Sequence, residues 1–236
     1  MNNVYIPPVV KNLLIINVLF FAATWVFEKQ GIELAGYLGA FYFDSPFFRI
    51  WQPITYMFMH GGFTHILFNM FALYSFGSVL ESRWGAKRFI NFYLITGLGA
   101  LALQWAVQAF EVYQITGTPM AQHILPQISI TQSQLDTLRG IYSGPMVGAS
   151  GAIFGLLIAF GMLYPNAELY IMFIPVPVKA KYIIPVYILV ELSLGVAQFQ
   201  GDSIAHFAHL GGALIGFILV KLWGDKNKNT FYDYYE

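Results

Sequence analysis

The chain has 236 residues, of which 57% are hydrophobic and only 10% are Asp, Glu, Lys or Arg. Because an ordinary soluble domain carries about 25% charged residues, this composition excludes a soluble globular enzyme, a disordered chain and a nucleic-acid-binding protein with a basic face. The 12 basic and 12 acidic residues balance, and no cysteine is present. Those counts predict no nucleic-acid partner and exclude a disulfide framework and thiol chemistry. The sequence therefore predicts a protein whose surface largely contacts the lipid bilayer.

Six mostly apolar stretches are candidates for helices that cross a ~30 Å hydrocarbon core, which takes about 20 residues. They are Leu13–Phe27, Thr64–Leu80, Phe89–Phe110, Val147–Tyr164, Tyr182–Phe199 and Ile204–Trp223. The first resembles a signal peptide, but bulky Trp25 and Phe27 at its end favour an uncleaved span. We therefore predict an all-α membrane protein with one domain over residues 1–236 and six transmembrane helices.

The distribution of Lys and Arg predicts how these spans are oriented. With the N-terminus in the cytoplasm, nine of the 12 lie inside, and only Lys29, Arg49 and Arg139 lie outside. Both termini are therefore predicted to be cytoplasmic, with residues 224–236 forming a polar tail. We expect a multi-pass protein of a prokaryotic cell membrane.

Two predicted outer loops have distinct compositions. Residues 29–63 hold seven aromatic side chains between Tyr37 and Trp51, which suits a segment lying in the lipid headgroup layer. Residues 111–146 are polar and rich in Gln, and they form a long outer loop. Within that loop, Ser133–Arg139 followed by Gly140 is typical of one short helix with a stop signal.

The fourth apolar stretch opens with Gly148-Ala149-Ser150-Gly151. A Ser between small residues leaves its hydroxyl open to a substrate backbone, and the free N–H groups at the start of a helix favour an oxyanion nearby. The alternative is helix packing, because Gly148, Ala152, Gly155 and Ala159 form a stripe of small residues. Both interpretations stay open on this motif alone.

The sixth stretch contains Ala208-His209-Leu210-Gly211-Gly212, with Gly216 four residues further on. On an ideal helix, His209 shares a face with Gly212 and Gly216, where another backbone can come close. His209 could therefore be a base or a hydrogen-bonded packing residue. His206 lies three residues earlier, but no carboxylate or Cys nearby in sequence completes a metal site. We predict no metal and no cofactor.

The second stretch begins with His65-Ile66-Leu67-Phe68-Asn69. A spacing of four places the side chains of His65 and Asn69 on one face of a helix, where two donors could hold a developing oxyanion. The alternative is a polar clamp between helices. His60, just before Gly61 and Gly62, is expected to brace the loop. Under the predicted topology, Ser150, His65 and His209 all lie near the outer ends of inward-running helices.

These motifs together resemble the rhomboid intramembrane serine proteases over about residues 8–224. The matching segments, in chain order, are His60 with His65–Asn69, Glu81-Ser82-Arg83-Trp84-Gly85, Gly148–Gly151 and Ala208–Gly212 with Gly216. The resemblance implies Ser150 as nucleophile and His209 as its base. It also implies an oxyanion hole formed by His65, Asn69 and the Ser150 backbone N–H. The supporting positions are Phe154, His60, Gly148, Gly151, Gly212 and Gly216.

The chain departs from the family pattern at several points. The ring that stacks on the base is usually Tyr but is Phe154 here, and the usual Trp-Arg of the first outer loop is Trp51-Gln52. The outer loop before Ser150 is longer than in compact members. Glu191 is the only acid well inside a predicted span, away from its ends. Glu191 could be a third member of the site, but because the family works as a Ser–His dyad, we expect a structural or gating role for it.

The resemblance implies a serine endopeptidase that cleaves a transmembrane segment near its outer end, with the site open to the outer side. Its partners would be the lipid bilayer and a membrane-protein substrate. A substrate helix must unwind before a carbonyl becomes accessible, because its amides are already paired. Two alternatives are a non-catalytic member of the fold that binds membrane helices and a transporter or channel that uses the polar pocket.

Overall fold

The computed structural model describes residues 6–123, 129–170, 176–197 and 205–224. The described chain is mostly helical, with one short antiparallel hairpin. The helices are α1 (Pro8–Glu28), α2 (Ala35–Leu38), α3 (Gln52–Thr55), α4 (Phe63–Ala72), α5 (Ser78–Trp84), α6 (Ala86–Thr116), α7 (Gln132–Ser143), α8 (Ser150–Leu163), α9 (Ala180–Ala197) and α10 (His206–Trp223). The strands are β1 (Glu168–Tyr170) and β2 (Pro177–Lys179), which lie between α8 and α9.

Five helical segments are long and apolar enough to cross a membrane. They are α1, the continuous helix Phe63–Trp84, α6, α9 and α10. A π-helical turn at Leu73–Gly77 joins α4 to α5 within the second of these segments. The predicted all-α membrane protein is confirmed at this level. The ends predicted at Phe199 and Ile204 lie outside the described residues.

The fourth predicted span is shorter than expected. Helix α8 has 14 residues and measures about 21 Å, less than the ~30 Å of a hydrocarbon core. It lies in the middle of the bundle between α6 and α10, and eight of its residues are buried. A helix enclosed by other helices does not have to match the thickness of the lipid. The count of six spans stays a prediction.

One end of the bundle gathers three chain segments. The Glu81 carboxylate accepts hydrogen bonds from the backbone N–H groups of Val9 (2.9 Å) and Val10 (2.7 Å), which are otherwise unpaired donors of the first turn of α1. At the same end, the Arg88 guanidinium donates to the carbonyl oxygen of Gly224, at 2.9 Å. The start of α1, the α5–α6 junction and the end of α10 therefore share one end of the bundle.

Glycine pairs let α8 and α10 touch backbone to backbone. A Cβ atom at Gly212 would overlap the carbonyl oxygen of Gly151, and one at Gly216 would lie 2.8 Å from the Cα of Gly155. Neither position has room for a larger residue unless the helices separate. Gly155 of the predicted stripe, together with Gly151 outside it, thus sets the close approach of α8 to the helix that carries His209.

The first outer loop is braced by hydrogen bonds from a neutral side chain. Gln52 is fully buried, and its Oε1 accepts from the N–H of Arg49 (3.0 Å) while its Nε2 donates to the carbonyl of Phe47 (3.0 Å). The Gln that replaces the family's usual Arg therefore supports the loop without an ion pair. Tyr37 and Trp51 are exposed on this loop, which agrees with the prediction that it lies in the headgroup layer.

The second predicted outer loop differs from the prediction at its start and in the length of the helix it contains. Helix α6 continues to Thr116, so the loop begins six residues later than residue 111. The predicted helix Ser133–Arg139 is α7, which begins after a Thr131 capping box and continues through Gly140 to Ser143. A Gly inside a helix costs only about 1 kcal/mol. Here Ile141 and Tyr142, both after the predicted stop, are buried against the outer loops, which offsets that cost.

Candidate active site

Ser150 lies at the start of α8, immediately after a sharp turn of the chain. Gly148 has φ = 135°, a conformation that favours glycine, and its N–H donates to the carbonyl of Tyr56, at 3.0 Å. A Cβ atom at Gly148 would also lie 3.0 Å from the ring of His65 and 3.3 Å from Ser150 Oγ. The turn therefore supplies the irregular residues before α8 that allow Ser150 to face His209 although Ser150 lies off the packing stripe.

His209 approaches Ser150 from α10. Its Nε2 lies 2.8 Å from Ser150 Oγ, and the two residues are 59 positions apart in the chain. The Phe154 ring stacks on the imidazole with a centroid distance of 4.3 Å and an interplanar angle of 6°. The structure brings these three residues together, and the imidazole lies flat against the Phe154 ring of α8.

Glu191 contacts the other side of the same imidazole. Its Oε2 accepts from His209 Nδ1 (2.8 Å) and from His206 Nδ1 (2.7 Å). No acid was assigned to His209 from the sequence. Glu191 lies within hydrogen-bonding distance of the imidazole, because α9 carries it to the His-bearing face of α10. Its structural or gating role stays a prediction.

No third ligand lies near His206 and His209 in sequence, but the fold supplies one from another helix. The absence of a metal stays a prediction. Glu191 brings one ligand atom to within 4.8 Å of those of both histidines. The signal for this contact was present, because a carboxylate inside an apolar helix needs a partner. The sequence did not say which neighbouring helix supplies it.

His65 and Asn69 lie on α4 beside the Gly148 turn. The Gly61 N–H donates to His65 Nδ1 at a long 3.4 Å, a pairing that leaves Nε2 as the donor nitrogen. Asn69 is buried, and its Nδ2 has no hydrogen-bond partner among the described residues. His60 packs its ring edge-on against His65, with centroids 5.1 Å apart. The His65 ring thus lies close to the Gly148 turn, and Asn69 follows one turn later on α4 with a buried donor that has no partner among the described residues.

The arrangement has the parts of an activated nucleophile. Ser150 Oγ lies within hydrogen-bonding distance of an imidazole nitrogen, which is the arrangement of hydroxyl and base type that nucleophilic catalysis uses. Ser150 is half-buried, and the His209 side chain keeps 12% of its surface accessible. The pair can therefore be reached from outside the bundle while packed helices surround it.

Fold and site together define a multi-pass helical membrane protein with a Ser–His pair between two core helices. The model of the rhomboid domain matches residues 48–225, and the chain belongs to the rhomboid family. The predicted family resemblance is confirmed.

Several relatives of the chain carry rhomboid names. It is 27% identical to rhomboid-like protein 11, chloroplastic, of Arabidopsis thaliana, over 89% of this chain and 63% of that protein. It is 30% identical to rhomboid protein 1, mitochondrial, of Saccharomyces cerevisiae, over 68% and 38% of the two chains. It is 28% identical to the rhomboid protease AarA of Providencia stuartii, over 72% and 54%. The chain thus covers less than two thirds of each of these proteins.

Proposed function

We propose that the chain is a serine endopeptidase that hydrolyses a peptide bond in a transmembrane segment, near the outer membrane surface. The observation that supports this most is the 2.8 Å contact between Ser150 Oγ and His209 Nε2. Membership of the rhomboid family and the likeness to a relative named as a protease favour the same activity.

In the proposed reaction, Ser150 Oγ attacks the scissile carbonyl carbon while its proton moves to His209 Nε2. The tetrahedral intermediate collapses to an acyl-enzyme when His209 gives that proton to the leaving amine. A water molecule then attacks the ester, with His209 again as the base, and restores Ser150. Stacking on Phe154 keeps the imidazole facing the hydroxyl throughout.

The oxyanion of the intermediate is proposed to bind the Asn69 amide, the His65 Nε2–H and the Ser150 backbone N–H. Asn69 Nδ2 is buried without a partner among the described residues. Leaving such a donor unpaired costs free energy, which a bound acceptor would offset. The Ser150 N–H belongs to the first turn of α8 and has no acceptor within that helix. One oxyanion donor is typically worth about 10²–10³ in rate.

The substrate is proposed to be a membrane helix that unwinds locally at the site. Breaking its paired amides inside lipid is costly, so segments with Gly or Pro near the outer surface should be preferred. Moving such a helix breaker along a single-span substrate tests this requirement. Cleavage that follows the breaker supports it, and cleavage that ignores the breaker refutes it.

The topology and the compartment are also part of the proposal. We propose six spans, a single domain with an interfacial 29–63 loop, cytoplasmic termini and a site open to the outer side. The prediction of a prokaryotic cell membrane gains no support from the relatives, because two of the three named above carry organellar names. It stays a prediction, whereas the multi-pass membrane character is established by the helices and the family.

The deciding experiment is cleavage of a single-span substrate by purified wild type, Ser150→Ala and His209→Ala. Ser193→Ala and His123→Ala are matched controls, because both side chains are exposed away from the Ser–His pair. We expect loss of cleavage in the first two variants and wild-type rates in the controls. Activity that survives in Ser150→Ala would rule out Ser150 as the nucleophile and would favour the transporter or helix-binding alternatives.

A further inference from the structure

We propose that Glu191 is a positioning residue for His209 and that His206 holds its carboxylate in place. Ser150, His209, Glu191 and His206 would then form one hydrogen-bonded chain across α8, α10 and α9. The inference rests on the proposed function and adds to it, since the activity was assigned above to Ser150 and His209 alone.

The geometry of one carboxylate oxygen carries the proposal. Glu191 Oε2 receives both imidazole groups through their Nδ1 atoms, at 2.8 Å from His209 and 2.7 Å from His206. A carboxylate is an acceptor, so the His209 proton sits on Nδ1 and the lone pair is left on Nε2. That tautomer is the one able to accept the Ser150 proton. Without an acceptor at Nδ1, both the tautomer and the ring orientation would be less well defined.

The Glu191 carboxylate is buried and therefore depends on the two imidazole groups that contact it. Glu191 and His206 are each only 5% exposed, and a buried carboxylate needs hydrogen-bond donors to offset its desolvation. The two imidazole N–H groups meet this need. When His209 becomes an imidazolium during the reaction, the adjacent carboxylate stabilises the new positive charge, and Glu191 itself exchanges no proton.

His206 holds the Glu191 carboxylate from a second turn of α10. His206 and His209 lie three residues apart on α10, so their rings project toward α9 from neighbouring turns. Gly195 follows Glu191 by one turn on α9, and a Cβ atom there would lie 3.1 Å from the His206 Cβ. Gly195 therefore gives α10 the room to bring His206 against the same oxygen that His209 uses.

A metal ion is a less suitable explanation of the same cluster. In a tetrahedral zinc site with bonds of 2.0–2.1 Å, neighbouring ligand atoms are separated by about 3.3 Å. The 2.7 and 2.8 Å separations between Glu191 and the two histidines are shorter and match charge-assisted hydrogen bonds. These separations indicate an imidazole N–H that donates to the carboxylate in each pair.

The test compares Glu191→Gln, Glu191→Asp and His206→Gln with wild type, and uses Ser193→Ala as a control on the same helix. The readouts are kcat, KM, the rate of serine labelling by a fluorophosphonate, and Tm. We expect Glu191→Gln to lower kcat and the labelling rate about 10²-fold, with KM within about twofold, because an amide lacks the charge. Glu191→Asp should restore part of kcat, and His206→Gln should lower it about tenfold.

The outcomes separate the possible roles of Glu191. A purely structural role predicts a lower Tm for Glu191→Gln without a change in kcat, and that result would overturn the proposal. Loss of wild-type activity on chelation, with recovery on adding Zn²⁺, would overturn it in favour of a metal site. If the wild type neither labels nor cleaves, the proposed function itself fails. If the wild type is active and Glu191→Gln equals it, only this inference fails.

Discussion

The position of Ser150 shows how a reactive side chain can depend on the residue two places before it. On an ideal helix its hydroxyl would face away from the stripe of small residues that packs α8. Gly148, at φ = 135°, turns the chain so that Ser150 becomes the first residue of the helix. Its Oγ then contacts His209 Nε2, while the rest of α8 packs against the neighbouring helices.

At Asn69 the proposed oxyanion role makes a prediction that separates activity from stability. Replacing Asn69 with Leu keeps the volume of the side chain but removes the Nδ2 donor, so we expect kcat to fall about 10²-fold. Because that donor is buried without a partner among the described residues, its loss should not lower Tm. Kinetics and thermal unfolding of the same purified variant check both parts.

The opposite pattern would contradict the assignment of Asn69. A drop in Tm with unchanged kcat would indicate a polar clamp between helices, which was the alternative for this side chain. His60→Ala, made in parallel, tests whether His60 holds the His65 ring in place, because the two rings are in edge-on contact.

At the scale of residues, the sequence predicted side chains that belong to local motifs but not the contacts between helices. Ser150, Phe154 and His209 sit in local motifs, and the structure brings these three side chains together. The contact between Glu191 and His209 depends on how α9 leans against α10, which no local motif encodes. Gln52 was identified as a departure, but its buried hydrogen bonds depend on the path of the loop around it.

At the scale of helices, the glycine contact between α8 and α10 fixes the distance between nucleophile and base. Gly212→Ala would place a methyl group on the carbonyl oxygen of Gly151 and force the helices apart. We expect a loss of about 1–3 kcal/mol in stability. Because a displacement of 1 Å in a site costs about 10²-fold in rate, kcat should fall by at least that factor.

Gly140→Ala is the matched control for this substitution. Gly140 lies inside α7, and a Cβ atom there would have no neighbour within 4 Å. Since Ala is a better helix former than Gly by about 0.5–1 kcal/mol, Tm should stay the same or rise, with activity unchanged. Equal losses in both variants would show that the α8–α10 contact has no special part in activity.

Element boundaries were less predictable than element types. The composition of residues 133–139 indicated a helix, but its extension past Gly140 depends on burial of Ile141 and Tyr142 against the outer loops. The length of α8 likewise depends on its position inside the bundle. Apolar composition indicates that a segment is buried, but it does not distinguish burial in lipid from burial in protein.

The two outer loops are joined through hydrogen bonds that a pH titration can probe. Tyr42 is 1% exposed, and its hydroxyl donates to the carbonyl of Pro119, at 2.8 Å. Burial, followed by the nearby charge of Asp44, raises the pKa of Tyr42 from 10.0 to about 12. Burial and then the hydrogen bond to Asp44 raise the pKa of Tyr142 as well.

We expect the stability contributed by Tyr42 to be fully present below pH 10 and to be lost as the pH rises through about 12. The sign follows because the raised pKa means that the folded state favours the neutral phenol. Ultraviolet titration of tyrosinate in wild type and Tyr42→Phe should differ by one group that ionises near pH 12. A difference centred at pH 10 would show that Tyr42 is not buried between the loops.

At the scale of the whole molecule, packed helices enclose a polar cluster that could not persist in lipid alone. Ser150, His209, Glu191 and His206 come from three helices, and each polar group finds a partner within the cluster. The start of α1 and the end of α10 share one end of the bundle. Among the described residues, that end carries Lys11, Arg83, Lys87, Arg88 and Lys221, which agrees with the prediction that it faces the cytoplasm.

The orientation is testable with reporters fused to the end of the chain. We expect a fluorescent protein fused there to fold and fluoresce, and a phosphatase that needs an external, oxidising compartment to stay inactive. The same phosphatase inserted after Thr118, in the second outer loop, should be active. The reverse pattern would contradict the orientation and would move the proposed site to the inner side of the membrane.

The central claim is that Ser150 is a nucleophile activated by His209. The most direct measurement is mass spectrometry of the protein after reaction with a fluorophosphonate, with the modified residue identified in the digested chain. The account predicts one phosphonate on Ser150 in wild type and none in His209→Ala under the same conditions. An adduct on another serine, or equal labelling of Ser150 without His209, would contradict it.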